Sequence, residues 1–330
     1  MARRPPSRRA ITRTPEPKPE RKRPIGIRNA IIIAVVFMVV IATIVVLGIY
    51  FFVWQDLWSP IIRVNDETIS MDYFIRRMKY VDRTDNIEAM LEALTEEEFT
   101  RQGAARYGIE VTPEEVDEVL RDIARGENET ISESEFKVWY RNALNETMLS
   151  DAEYREWVST HMLAERLNEL LIDRLPTVTE HVHLYIIVLT SVEETEAAIA
   201  RLEDGEDFSE LARELSIDEE SAEQGGDTGW WPRGGGLHLN VEYWAFTLDI
   251  DQVSPIIGID DENEIYAVCM VTEKQTREIE EQKLEVIKGG IFDAWLDVEW
   301  VTVDYDFLSL DGGVLDSYTL KWIDLQLSKR

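Results

Sequence analysis

Between Ile31 and Trp54 the chain reads IIIAVVFMVVIATIVVLGIYFFVW, 24 residues in which Thr43 is the most polar side chain apart from Tyr50. The run has no polar face, so neither a helical nor a strand period can be drawn through it. A helix of roughly 20 apolar residues spans the hydrocarbon of a bilayer. Tyr50, Trp54 and Trp58 fall where an interfacial aromatic belt would sit. A cleavable signal core is shorter, about 7–15 residues, and ends in a small-residue site. The following WQDLWSPIIRV has neither an A-x-A site nor a lipobox cysteine. Residues 29–54 are therefore expected to form an uncleaved transmembrane helix.

Beyond it the apolar positions take up the spacing of amphipathic helices. IIRVNDETISMDYFIRRMKYV opens with a short strand and a turn at Asn65-Asp66, after which Ser70 is placed to cap a helix. A helical pattern runs through NIEAMLEALTEEEFTRQGAARYG and stops at Gly108. In VTPEEVDEVLRDIARG, Thr112 is the cap and Pro113 occupies the first turn. SESEFKVWYRNAL follows, then SDAEYREWVSTHMLAERLNELLIDRLP, where Ser150 and Glu153 have capping-box spacing and Pro176 closes the helix. Residues 59–176 are predicted to be an all-α domain.

At Pro176 the pattern changes. VHLYIIVLT (182–190) is an apolar strand, and SVEETEAAIARLEDGEDFSELARELS reads as two helices broken at Gly205. A loop rich in glycine and tryptophan comes next, EQGGDTGWWPRGGG (223–236), then a helix in NVEYWAFTL and a last strand in EIYAVCMVTEK. The order β-α-α-loop-α-β over 178–274 predicts a compact α/β unit with its two strands side by side. TREIEEQKLEVIKGGIFDAWLDVEW returns to helix, leaving Trp295 and Trp300 to dock elsewhere. Residues 275–330 are thus a C-terminal helix and a tail, LDSYTLKWIDLQLSKR, for which the pattern gives no position.

Charge sharpens the division. Residues 1–28 carry ten Arg or Lys against Glu16 and Glu20, a local charge of +8, and leave −39 for the rest of a chain whose net charge is −31. A basic, proline-rich head before an apolar helix stays cytoplasmic by the positive-inside rule, which puts the acidic body outside. So acidic a body is unsuited to nucleic acid. Cys269 is the single cysteine, so no intramolecular disulfide and no cysteine-based zinc site can form.

Residues 178–274 resemble a parvulin-type (PpiC-like) peptidyl-prolyl isomerase domain. EETEAAIARLEDGEDFSELARELSID, AEQGGDTGWWPRGG and AFTLDIDQVSPII carry the resemblance, in the family's order and spacing. VNDETISMDYF and the helices down to LIDRLP look like the chaperone module of SurA/PrsA-type extracytoplasmic foldases. Together these stretches cover about 240 of the 330 residues. The resemblance implies an α+β protein: transmembrane helix, SurA-N-like helical domain, rotamase domain with a small antiparallel sheet, and C-terminal helix. It also implies that the glycine-rich stretch wraps the sheet edge and forms one wall of a shallow peptide groove. Trp230 and Trp231 would supply rigid apolar area there, with Ile186, Leu237, Phe246 and Tyr266 as further lining.

In the family a pair of histidines on the first and last strands, with a Cys or Asp between them, shapes the pocket that twists the prolyl amide. The acidic member matches Asp218, the expected catalytic residue. The histidine positions fall on Ile186 and Ala267, so both histidines are missing; His183 points to the opposite strand face. The family's Leu after G-G-D is Thr228, and its Met falls near Gly236. His181 and His183 share one strand face with no third ligand nearby, so both are expected to face solvent and no metal or other cofactor is implied. The resemblance to bacterial foldases implies that the sequons at Asn128 and Asn145 are incidental.

The expected function is a membrane-anchored extracytoplasmic foldase or holdase that binds unfolded, secreted or proline-containing polypeptide, its isomerase activity reduced or absent. A working isomerase relying on Asp218 without the histidines is one alternative. The other is a non-catalytic assembly subunit that uses the rotamase fold to dock a partner.

Overall fold

The structure is a computed structural model that describes residues 27–81, 86–260 and 262–328; within residues 27–54 the side chains described are those of 32 and 35–48. The basic head therefore lies outside the described residues, up to Gly26. Two compact units are present, residues 1–58 and residues 59–330. In the first, α1 (Ile27–Trp58) is a helix of 32 residues whose described apolar side chains, Phe37 and Met38 among them, are exposed. Among the described residues no helix is long and apolar enough to cross a membrane. Tyr50 and Trp54, assigned to an aromatic belt, have side chains outside the described residues.

The second unit begins with β1 (Pro60–Val64) and β2 (Glu67–Ser70), antiparallel and joined at Asn65-Asp66. Asn65 takes a left-handed φ of 53°, which suits the short turn. Ser70 then caps α2 (Met71–Tyr80), accepting from the Tyr73 N–H. The helices α3 (Ile87–Arg106), α4 (Pro113–Arg125), α5 (Glu133–Thr147) and α6 (Asp151–Asp173) follow. Thr112 with Glu115, Ser132 with Glu135, and Ser150 with Glu153 form reciprocal capping boxes at the last three. Each box satisfies two backbone N–H groups that a helix start leaves unpaired.

The rotamase-like unit opens on β3 (Val178–Leu189), continues through α7 (Val192–Glu203), α8 (Phe208–Leu215) and the short α9 (Glu219–Glu223), and reaches β4 (Asp227–Pro232). Then come α10 (Leu239–Thr247), β5 (Ile257–Asp260) and β6 (Ile265–Glu278). The sheet order is β4-β3-β6-β5, all antiparallel, with Ile186 opposite Cys269 and Leu189 opposite Tyr266. The two apolar strands bracketing the tryptophan pair do lie side by side. The tryptophans, however, sit on a strand of their own rather than in a loop. The sheet separates two cores: Val182, Leu184, Ile186, Ala267 and Cys269 pack against α10, whereas Ile187, Leu189 and Val268 pack against α7 and α8. That is the alternation of a pleated strand buried on both faces.

The C-terminal part returns to the first domain. β6 runs on through Glu278, so 276–278 are strand rather than helix, and α11 (Glu281–Thr302) starts later than the pattern suggests. After it, β7 (Tyr305–Phe307) pairs with β1, and α12 (Ser317–Leu327) buries Ile323. Trp295, Leu296 and Ile323 share one core with Ile61, Phe74, Leu94, Phe99 and Leu167. The helical domain is therefore not all-α. It carries a three-stranded sheet, β2-β1-β7, whose third strand arrives from more than 200 residues downstream. Arg106 on α3 pairs with the buried Glu299 on α11 at 2.5 Å, and the Trp300 Nε1–H donates to Glu96 at 3.1 Å.

Candidate peptide-binding sites

Strand parity decides which expected groove residues meet. Ile186, Ala267 and Cys269 share one sheet face, and Phe246, Trp231 and Leu237 pack on that same face. Ile186 and Phe246 are each only 8% exposed, so they form the floor of this face rather than an open wall. The Arg233 guanidinium lies 4.1 Å over the Phe246 ring. Where the resemblance implies two histidines, this face has an isoleucine and an alanine. Beside them Cys269, whose N–H donates to the buried Ser254 hydroxyl at 2.9 Å, has its thiol pushed up to about 11 by burial, so it stays protonated and inert.

Trp230 and Tyr266 are not part of that group. Trp230, opposite His183 in the ladder, stacks on the His183 ring at 5.0 Å with Arg277 4.3 Å from its own ring centroid. Adjacent strand residues project to opposite faces, so the two tryptophans serve different surfaces. The same rule sends Tyr266, paired with Leu189, to the face opposite Ala267.

Asp218 stands at the N-terminal end of α9 without a side-chain bond to the helix N–H groups, and accepts from the Ser221 hydroxyl at 2.6 Å. It lines a cavity of about 520 Å3 with Ser221, Asp227, Thr228, Trp231 and His183. His183 is not solvent-facing: its Nε2 lies 3.0 Å from Asp227 and its Nδ1 3.2 Å from the Thr272 hydroxyl. His183 is half-buried, and His181, at 2% exposure, is buried. β4, a strand where the sequence pattern predicts a loop, places Pro232 opposite His181 and Trp230 opposite His183. The Tyr185 hydroxyl donates to Asp227 at 3.2 Å, and burial, with that carboxylate beside it, raises the phenol above its ordinary range. Asp227 thus holds two rings at once, and both His183 nitrogens have partners. The arrangement can offer hydrogen bonds to a polypeptide backbone. The sequence pattern does not join His183 to Asp227 and Tyr185; the Gly225-Gly226-Asp227 step is the available signal.

A second surface belongs to the helical domain. A groove of about 620 Å3 runs between α4, α6 and the end of α2, lined by Tyr80, Ile123, Tyr154, Trp157 and Met162. Tyr80 and Tyr154 each lie 5.8 Å from Trp157, and the Arg77 guanidinium lies 5.0 Å over the indole. Ile123 is 52% exposed at its edge. Rigid aromatic walls with an open mouth suit an apolar segment of another chain.

Residues 190–273 match the model of the PPIC-type PPIASE (rotamase) domain, and residues 26–168 match that of the SurA-like N-terminal domain. The chain joins a SurA-like domain to a PPIC-type domain. Among similar proteins is the foldase protein PrsA of Oceanobacillus iheyensis, 32% identical over 186 residues, which are 54% of this chain and 60% of that one. The PrsA of Geobacillus kaustophilus is 33% identical over 115 residues, 35% of this chain and 40% of its own length. The chain thus spans about three fifths or less of the length of these two relatives. Of solved structures, the peptidylprolyl isomerase PrsA of Bacillus cereus is similar at a TM-score of 0.37 and 16% identity, over 83% of this chain and 92% of that one.

Proposed function

We propose that this protein is an extracytoplasmic, membrane-anchored folding factor that holds unfolded polypeptide. The groove around Trp157 carries the reading: an aromatic surface, open at its mouth, on the domain that matches the SurA-like model. The foldase names of its PrsA relatives agree with it. The apolar stretch 31–54, within α1, would be the anchor, with the basic head on the cytoplasmic side and residues 59–330 outside.

The rotamase-type domain would bind extended peptide and isomerise it little. Rotating a prolyl bond means overcoming a barrier of about 18–20 kcal/mol of amide resonance. Ile186 and Ala267 supply no polar group to the sheet face, and the Cys269 thiol stays neutral. Asp218 would act as a hydrogen-bonding wall of the adjoining cavity.

The test uses the full-length chain in detergent micelles. It is expected to suppress aggregation of a reduced, unfolded client at near-stoichiometric ratios, while accelerating isomerisation of a proline tetrapeptide only weakly. Failure to delay aggregation would overturn the holdase reading. Rapid isomerisation that is lost in Asp218→Ala would replace it with a histidine-independent enzyme.

A further inference from the structure

Residues 178–274 contain only four Arg or Lys side chains, Arg201, Arg213, Arg233 and Lys274, in an otherwise acidic stretch. Three of them have partners within the domain. Arg201 pairs with Glu206 and Glu214. Arg213 donates to the Ser209 carbonyl at 3.2 Å. Lys274 donates to the Leu248 carbonyl at 2.7 Å, closing the C-terminal end of α10.

Arg233 differs. It is exposed, it lies over the Phe246 ring, and among the described residues it forms no ion pair. Glu242, the α10 carboxylate that reaches this loop, accepts from the Gly234 N–H at 2.7 Å instead. A guanidinium that meets a ring through its Cζ can still present N–H groups in the fork geometry that matches a carboxylate. In a domain with so many acidic side chains, a cation left without one and placed over the floor of an apolar face is positioned for a carboxylate from outside.

We propose that Arg233 makes this sheet face selective for polypeptide in which an Asp or Glu adjoins the proline or apolar residue seated near Phe246, Leu237 and Trp231. The proposal rests on the reading above that this face holds extended peptide. A client carboxylate brought near so acidic a body is repelled, and Arg233 offsets that repulsion at one point. Lys283 lies 4.4 Å over the Trp231 ring but is already held by the Trp230 carbonyl and by Glu280, so selectivity comes from the Arg233 contact beside the apolar footprint.

The test measures fluorescence anisotropy of three labelled hexapeptides on the full-length chain. They are identical except for Glu, Gln or Lys immediately before a central proline. The wild type is expected to bind the Glu peptide roughly three- to fivefold more tightly than the Gln peptide at low ionic strength, as an exposed ion pair allows. Salt at about 0.5 M should erase the difference. Arg233→Gln should equalise the two peptides, Arg233→Lys should keep part of the preference, and Arg233→Glu should turn it toward the Lys peptide. Equal binding of Glu and Gln peptides by the wild type overturns the selectivity while leaving the groove reading in place. So does a preference that survives in Arg233→Gln, or an equal loss for all three peptides, which would make Arg233 a mere cap on Phe246. If no peptide binds the wild type, the groove reading falls and the selectivity with it.

Discussion

The indole of Trp295 on α11 occupies the space that a side chain at Gly103 on α3 would need. A Cβ added to Gly103 would overlap Cζ2 of the indole and come within 2.7 Å of Cη2. Glycine inside a helix ordinarily costs about 0.5–1 kcal/mol relative to alanine. Here that order should invert, because close approach of the two helices requires the missing methyl. Gly103→Ala is expected to destabilise the chain by about 1–3 kcal/mol, as overpacking does. In a Trp295→Ala background, itself costing about 3 kcal/mol or more, the same change should be neutral or stabilising. Denaturant midpoints of the four chains in the double-mutant cycle check this, and additive losses would mean that the two helices do not interlock.

That contact also shows where the sequence was readable. The caps at Ser70, Thr112 and Ser150 were legible because each is a bond between residues three apart. The pairing of β3 with β6 was legible because both strands are continuous apolar runs. Trp295 was visibly an unplaced apolar side chain, but its partner is 192 positions away, and nothing local names Gly103. The third strand of the first sheet, β7, is three residues long and pairs across a similar distance. β4 hid behind its composition: Asp227, Gly229, Pro232 and the glycines on either side are turn-like residues that outweigh the strand-favouring tryptophans, and a strand edge tolerates them only because one side needs no ladder. Missing that strand misplaced the candidate site. It put Trp230 beside Trp231 and left the half-buried His183–Asp227 pair unseen.

Gly226 is required for a different reason than Gly103. It has a φ of +84°, donates to the Ser221 carbonyl and accepts from the Ile186 N–H at 2.8 Å. A Cβ there would sit 2.7 Å from the Ile186 carbonyl oxygen, a backbone atom that cannot rotate away. Gly226→Ala should therefore cost at least about 2 kcal/mol, combining left-handed strain with a clash. Gly312, with a φ of +85° and nothing within 4 Å of its would-be Cβ, provides the comparison. Gly312→Ala should show the backbone strain alone, about 1 kcal/mol. Equal losses at the two sites, measured by thermal unfolding, would show that the approach to Ile186 is not tight.

Glu153 ties α6 to α2. Its carboxylate accepts from Arg76 at 2.8 and 2.6 Å and also from the Ser150 N–H and hydroxyl in the capping box. The Arg76 hydrogen bonds lower its pKa most, with Ser150 adding to the effect, from 4.5 to about 2. A carboxylate whose folded pKa is depressed adds stability that is present above the unfolded value and is lost as pH falls toward the folded one. The contribution should be complete at neutral pH, decline between about pH 4.5 and pH 2, and be absent below. Allowing for solvent screening, Glu153→Gln is expected to cost about 1 kcal/mol at pH 7. That gap should narrow steadily in urea titrations toward pH 2.5, and a pH-independent gap would show that the loss does not come from the charge of the carboxylate.

The groove around Trp157 makes its own prediction, separate from the sheet face. Ile123 is exposed at the groove edge, so replacing it removes little packing from the folded chain. Ile123→Asp should leave stability within about 0.5 kcal/mol of wild type. A carboxylate at the mouth would have to be desolvated by any apolar segment entering the groove, which costs more than the lost isoleucine surface. Aggregation suppression by the full-length chain should therefore weaken several-fold, whereas binding of the proline hexapeptides at the Arg233 face should not change. Ile123→Met, which keeps an apolar edge, should behave as wild type. If Ile123→Asp protects an unfolded client as well as the wild type does, clients do not enter this groove, and the holding surface must be sought elsewhere on residues 59–330.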